Sequence, residues 1–193
     1  MKQKILLFVF FLLLFTPLVL IAKNEITLLN KKTEEIPNTD VETQIITKPV
    51  PLPLREEKDF RFDLSDLESR ITSKTRMVIV NTPQNTTGGI LTKEAIEGFA
   101  ALAFKHDFIV FSYEIYSRIT YVGFKQFSIL EIPEMKERTI MLDGFSKTYA
   151  MTGWRLCYAI MPENIAKLVA KLQTICTSCT SSFSQMAGIE ALS

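Results

Sequence analysis

Three short apolar runs, at residues 77–80, 108–111 and 140–142, limit this chain more than any other feature. Each is too brief for an independent helix and lacks polar alternation, so each reads as a strand buried on both faces. Between the first two, Thr92 can cap a helix on which Ile96, Phe99, Ala100 and Ala103 share one face. Strand, helix, strand in that order makes a βαβ unit with parallel strands. Residues 157–161 read as a fourth strand, and Pro162 suits the first position of a long helix. The expected fold is α/β, a mainly parallel sheet flanked by helices.

Upstream the patterning changes. Residues 44–54 are β-branched and then carry prolines at 49, 51 and 53. Those prolines cannot donate to a ladder, which restricts the segment to an edge strand or an extended stretch. Residues 63–71 form a short helix that Asp63 or Ser65 can cap, and Ser65 with Glu68 fits a capping box. Residues 23–43 are polar and aperiodic and read as a linker. Lys2 and Lys4 precede an apolar run over residues 5–22, interrupted at Thr16 and Pro17. That order is the one found in secretory signals and N-terminal anchors. Leu20 stands where signal cleavage prefers a small residue, which weighs toward an uncleaved apolar helix. The domain plan is therefore a signal peptide or membrane anchor at 1–22, a linker at 23–43 and one α/β domain at 44–193, with the chain anchored or exported.

The charge balance, 22 Lys and Arg against 21 Asp and Glu, carries no basic footprint for nucleic acid. Partners are expected among small molecules or proteins. Cys176 and Cys179 fall on one helical stripe with Ile165, Leu168, Val169 and Leu172, so both thiols read as core or near-core groups. With no second Cys or His pair, no zinc site is expected. His106, the single histidine, ends the helix begun at Thr92, where an imidazolium suits the terminal carbonyls.

Chemistry concentrates in residues 143–155, Asp-Gly-Phe-Ser-Lys-Thr-Tyr-Ala-Met-Thr-Gly-Trp-Arg. A lysine close to a guanidinium, or partly desolvated, loses its proton more readily and attacks carbonyls. An arginine can grip phosphate by two parallel hydrogen bonds. Lys147 and Arg155 together suit a phosphorylated carbonyl compound. Asn85 follows the first strand, Tyr113 and Tyr116 the second, and Lys147 the third. Open α/β sheets bind ligands at those carboxyl ends.

The string around Lys147 resembles the lysine motif of the class I/II aminotransferases, the pyridoxal-phosphate enzymes of the aspartate aminotransferase type. Asn85 stands in a stretch resembling their Asn-Pro-Thr-Gly loop, and Tyr113, Glu114, Ile115 and Tyr116 resemble their Asp-Glu-x-Tyr motif. The resemblance runs from about Lys48 onward, over less than half of a family member. It implies part of a fold-type I large domain behind the apolar helix, a homodimer when complete, amino-acid and 2-oxo-acid substrates, and a cytoplasmic setting as the alternative to the anchor. It further implies Lys147 as the Schiff-base lysine, Asn85 and Tyr116 on the phenolic oxygen, and Arg155, with Ser146, on the phosphate.

Four departures accompany it. Tyr113 stands where the family has the aspartate that pairs with the pyridine nitrogen, and Glu114 cannot replace it because successive strand residues face opposite ways. Thr86 replaces the loop proline. Gly144 offers no hydroxyl to the phosphate, and Cys157 stands where the motif continues with glycine. The alternative to an active aminotransferase is therefore a truncated, catalytically impaired relative, membrane-tethered and acting by protein contacts.

Overall fold

The computed structural model describes residues 6–8, 25–33 and 45–193. Among these, seven strands form one sheet: β1 (Leu6–Phe8), β2 (Glu25–Thr33), β3 (Ile45–Pro53), β4 (Thr75–Asn81), β5 (Ile109–Tyr113), β6 (Thr139–Gly144) and β7 (Cys157–Ile160). Their order is β1-β7-β6-β5-β4-β2-β3. The central strands β4, β5 and β6 are parallel, whereas β7 runs antiparallel to β6 and β2 antiparallel to β4. Helices α1 (Leu64–Arg70), α2 (Lys93–His106), α3 (Glu163–Thr177) and α4 (Ser182–Ala191) complete the described fold.

The strand alternation divides the core. Val78, Val80 and Val110 pack with Phe108, the α2 residues Ile96, Phe99, Ala100 and Ala103, and Leu67 of α1. Ile79, Phe111, Leu142 and Ala159 meet Val169 and Ala170 of α3 on another side. Each such side chain contributes roughly 1.5–3 kcal/mol by leaving water, which is why the runs carry no polar interruption. The Thr92 hydroxyl accepts from the Ala95 N–H at 3.2 Å and starts α2 as expected. The proline-bearing segment is β3, at the edge of the sheet.

Several expectations are corrected. Residues 25–33, read as linker, form β2, which pairs with β3 on one side and β4 on the other. Long-range pairing supplies the backbone hydrogen bonds that local composition did not announce. Within the run expected to form an apolar helix, Leu6–Phe8 is a strand beside β7, where the ladder satisfies its backbone. The rest of that run lies outside the described residues, and no described helix is long and apolar enough to cross a membrane.

The capping box of α1 does not form. Asp63 is the N-cap residue without a side-chain bond to the helix and instead accepts from Lys58. Glu68 turns outward, holding Lys105 Nζ at 2.7 Å and His106 Nε2 at 2.9 Å, and these two donors lower its carboxyl below the usual range. Cys176 and Cys179 are exposed rather than core. The stripe is split: Val169 packs on the sheet beside Ala170, while Leu168 and Leu172 are left in solvent.

Candidate active site

The three parallel strands end level, with Asn81 beside Tyr113 and Tyr113 beside Leu142. Pairing continues one step further, the Thr82 N–H donating to the Tyr113 carbonyl at 3.2 Å and the Glu114 N–H to the Leu142 carbonyl at 2.9 Å. Three loops therefore leave one edge of the sheet side by side.

The first loop closes on itself. The Gln84 N–H donates to the Gly89 carbonyl and the Gly88 N–H to the Gln84 carbonyl, both at 2.8 Å. Gly88 makes the reversal at φ 75°, a conformation that costs little without a Cβ. Asn85 is left on the outside of the turn, where its Nδ2 donates to the Tyr116 hydroxyl at 3.2 Å. Lys147 Nζ lies 5.7 Å from the centre of the Tyr116 ring, within reach of its π face. Asn85, Tyr116 and Lys147, one from each loop, thus come together. Arg118 and Tyr149 tie the second loop to the third: the guanidinium carbon lies 5.5 Å from the centre of the Tyr149 ring, and Nη1 donates to its hydroxyl.

Arg155 does not join this group. It closes a 3-10 turn over Thr152–Trp154 in a left-handed conformation, and its Nη1 donates to the Thr152 carbonyl at 3.0 Å. Its side lines a separate cavity of about 670 Å³ with Trp154, Thr180, Ser181 and Ser184. Ser146 is half-buried, with its carbonyl accepting from the Thr152 hydroxyl at 3.0 Å.

Tyr113, the last residue of β5, is half-buried against Ile79, Phe111, Leu142 and Ala159. Burial pushes its phenol up to about 12, and the acidic neighbours Tyr116, Cys157 and Asp143 add to that. It is a neutral group at physiological pH. Glu114 does not stand in for it. Its carboxylate is buried and accepts from Ser112 Oγ at 2.7 Å and Ser128 Oγ at 3.0 Å, with burial raising its proton affinity. Asp143 is also committed, to the Gly144 N–H at 2.6 Å and the Tyr158 hydroxyl at 2.8 Å.

Two departures from the family pattern prove to be linked. Gly144 and Cys157 are cross-strand partners, and a Cβ at Gly144 would lie 3.1 Å from that of Cys157. A cysteine at 157 therefore occupies the space that a larger residue at 144 would need.

Asn85 and Tyr116 also line a cavity of about 820 Å³ shared with Glu56, Asp59, Arg61 and Tyr121. These four escaped the sequence reading, as did Thr180 and Ser184 beside Arg155. They come from distant segments and belong to no local pattern. Arg118, two residues after Tyr116, and Tyr149, within residues 143–155, could have been found from their places in neighbouring loops.

The chain is 43% identical over 145 residues to aromatic-amino-acid aminotransferase 2 of Thermococcus litoralis, covering 75% of this chain and 37% of that protein. It is 42% identical over 145 residues to aspartate aminotransferase of Pyrococcus abyssi, with the same two coverages of 75% and 37%. Among solved structures, the aromatic aminotransferase from Pyrococcus horikoshii OT3 is 41% identical with a TM-score of 0.71, over 72% of this chain and 38% of that one. Thermus thermophilus aspartate aminotransferase with maleate gives 35% and a TM-score of 0.70, over 73% and 36%. The chain spans little more than a third of the length of these relatives. The profile of the aminotransferase class I and II family matches residues 38–193, and the chain belongs to that family.

Proposed function

We propose that this chain forms the pyridoxal-phosphate-binding core of an aminotransferase that moves an amino group between an amino acid and a 2-oxo acid. Lys147 would hold the cofactor through its carbonyl carbon. The observation that carries the reading is the meeting of Asn85 Nδ2, the Tyr116 hydroxyl and Lys147 Nζ at one sheet edge, with 3.2 Å between the first two and 5.7 Å from the amine to the tyrosine ring. Asn85, Tyr116 and Lys147 fit the ring end of the cofactor, with an amide and a hydroxyl for a phenolate oxygen and an amine for a carbonyl, while Arg155, at its own cavity, would be the partner of the phosphate.

When bound, the cofactor supplies an electron sink for the charge that develops at the substrate Cα. Lys147 Nζ would take up the Cα proton and return it, the Tyr116 face beside it keeping the amine in place. Asn85 and Tyr116 would orient the ring through its phenolic oxygen. A homodimer is the proposed assembly; a tether or leader at residues 1–22, in place of a cytoplasmic form, would require Leu6–Phe8 to leave its pairing with β7.

Tyr113 favours a second reading, in which the cofactor binds but transamination is slow or absent and the chain acts by protein contacts. A neutral phenol can hydrogen-bond a pyridine nitrogen but cannot form the ion pair that keeps it protonated. The difference is on the order of 1.5–3 kcal/mol for a charged hydrogen bond.

The test is covalent capture: pyridoxal phosphate is added to the purified chain, borohydride follows, and the labelled peptide is mapped by mass spectrometry beside Lys147→Ala. Label on Lys147 and its loss in the variant are expected. Equal labelling of both proteins at surface lysines would refute the reading. Amino-acid turnover by the loaded protein then separates the active from the impaired form.

A further inference from the structure

We propose that Arg61 is a positioning residue for Asn85: it pins the turn that carries Asn85, and through that turn it sets the contact between Asn85 and Tyr116. Its bearing on chemistry rests on the aminotransferase reading, in which those two side chains meet the cofactor's phenolic oxygen. Asn85 does not hold itself in place. It is exposed on the turn, and its Nδ2 reaches the Tyr116 hydroxyl at 3.2 Å, the long end of the hydrogen-bond range. A small swing of the turn breaks that contact.

The neck of the turn is closed by Thr82, whose buried hydroxyl accepts from the Leu91 N–H at 3.3 Å and donates to Gln126 Oε1 at 3.2 Å. A closed neck fixes where the turn begins and ends but not which way it leans. The lean is set from outside. Arg61 is half-buried, and its Nε donates to the Ile90 carbonyl at 3.1 Å. Beside that bond, a Cβ at Gly89 would lie 3.1 Å from both the Asp59 carbonyl oxygen and Phe60 Cβ, and 3.2 Å from the Phe60 carbonyl oxygen. The turn therefore rests directly on the chain at residues 59 and 60, with no space for a side chain between them.

That seat is itself braced. The Phe60 N–H donates to the Arg55 carbonyl and the Arg61 N–H to the Lys58 carbonyl, both at 2.9 Å, and Arg55 and Arg61 pair as an antiparallel bridge. Asp59 and Phe60 reverse the chain at φ 52° and 54°, a region that disfavours residues with a Cβ. The reversal is what brings Phe60 to Gly89 and Arg61 to Ile90. What the turn receives from Arg61 is an N–H rather than a charge. Glutamine carries its amide nitrogen at the same place along the side chain as arginine Nε, whereas methionine keeps the stem and has no donor there. The two replacements therefore separate the hydrogen bond from the guanidinium charge.

The experiment titrates the full chain, as wild type, Arg61→Met, Arg61→Gln and Gly89→Ala, with pyridoxal phosphate and with its deoxy analogue lacking the phenolic oxygen. Arg61→Met is expected to weaken pyridoxal phosphate binding about three- to tenfold, as loss of one hydrogen bond does, and to leave the affinity for the analogue unchanged. Arg61→Gln should restore wild-type binding, and Gly89→Ala, which lifts the turn from its seat, should repeat the selective loss. Equal weakening of both compounds, or a glutamine variant no better than the methionine one, overturns the proposal, because a damaged fold does not distinguish the two compounds. A second readout needs no cofactor. The Asn85 side-chain amide resonance, identified by its absence in Asn85→Asp, should shift in Arg61→Met and return in Arg61→Gln, and an unmoved amide overturns the proposal. Wild-type protein that binds neither compound yet shows the amide shift and its return defeats the aminotransferase reading alone and leaves Arg61 as the residue that places Asn85.

Discussion

Replacing Tyr113 by aspartate should make the protein less stable when empty and more responsive to its cofactor. The phenol of Tyr113 rises from an ordinary value of 10 to about 12, mainly through burial. That rise is a penalty of roughly 3 kcal/mol against a negative charge at this place. An aspartate there meets the same burial and the same acidic neighbours, Tyr116, Cys157 and Asp143, and also gives up the ring's packing against Leu142 and Phe111. Tyr113→Asp is therefore expected to lose about 3–5 kcal/mol at pH 7 without cofactor. The charge part of that loss has a definite pH dependence. A carboxyl with a raised folded-state pKa costs nothing below its ordinary value, so the deficit relative to wild type should shrink as pH falls toward 4. A protonated pyridine nitrogen opposite the carboxylate would offset the penalty, so saturating pyridoxal phosphate should stabilise the variant about 1.5–3 kcal/mol more than it stabilises the wild type. Urea unfolding followed by circular dichroism, with and without cofactor at pH 7 and pH 4.5, measures all three quantities. A variant as stable as wild type when empty, or an equal cofactor increment in both proteins, would refute the placement of Tyr113 at a buried point facing the ring nitrogen.

Two other substitutions test the frame around the site. Glu114 binds its proton more tightly when folded, so wild-type stability should fall as pH climbs from the ordinary carboxyl value of 4.5 through the raised folded value. In Glu114→Gln that fall should disappear, since the amide oxygen can still accept from Ser112 and Ser128. Identical urea midpoint profiles against pH for the two proteins would count against it. Gly188 brings α4 against the core, and a Cβ there would stand 2.5 Å from Leu156 Cδ2 and 3.3 Å from Phe145 Cζ. Gly188→Ala is expected to cost about 1–3 kcal/mol by overpacking, read as a lower urea midpoint. An unchanged midpoint would mean that Leu156 yields freely.

Much of the fold was legible because its core obeys local rules. The runs that became β4, β5 and β6 had no polar interruption, Thr92 stood at a capping distance from an amphipathic stretch, and alternate prolines marked an edge strand. What escaped depended on long-range pairing. The strand β2 is polar and aperiodic, and it exists because β3 and β4 supply partners on both sides. The apolar stripe was expected to be covered along its length, yet the sheet takes up Val169 with its neighbour Ala170 and leaves Leu168, Leu172 and Cys176 in solvent, with Cys179 also exposed beyond the helix end. Periodicity gives the existence of an apolar face and is silent on what covers it.

The same division runs through the site. Asn85, Tyr116 and Lys147 could be brought together from sequence because parallel strands that end level must deliver their loops to one edge, whatever the loops contain. Arg155 could be given a chemistry but not surroundings. Its cavity is completed by Thr180, Ser181 and Ser184, more than twenty residues along the chain, and they arrive there because Gly188 lets α4 lie against Phe145 and Leu156. A glycine four residues after Ser184 thus decides which residues share a cavity with a guanidinium in a turn. Lys147 and Arg155 are separated in the same way. Lys147 leaves the sheet edge and Arg155 closes its own turn, so disturbing α4 should change the cavity beside Arg155 while leaving the Asn85–Tyr116–Lys147 group intact.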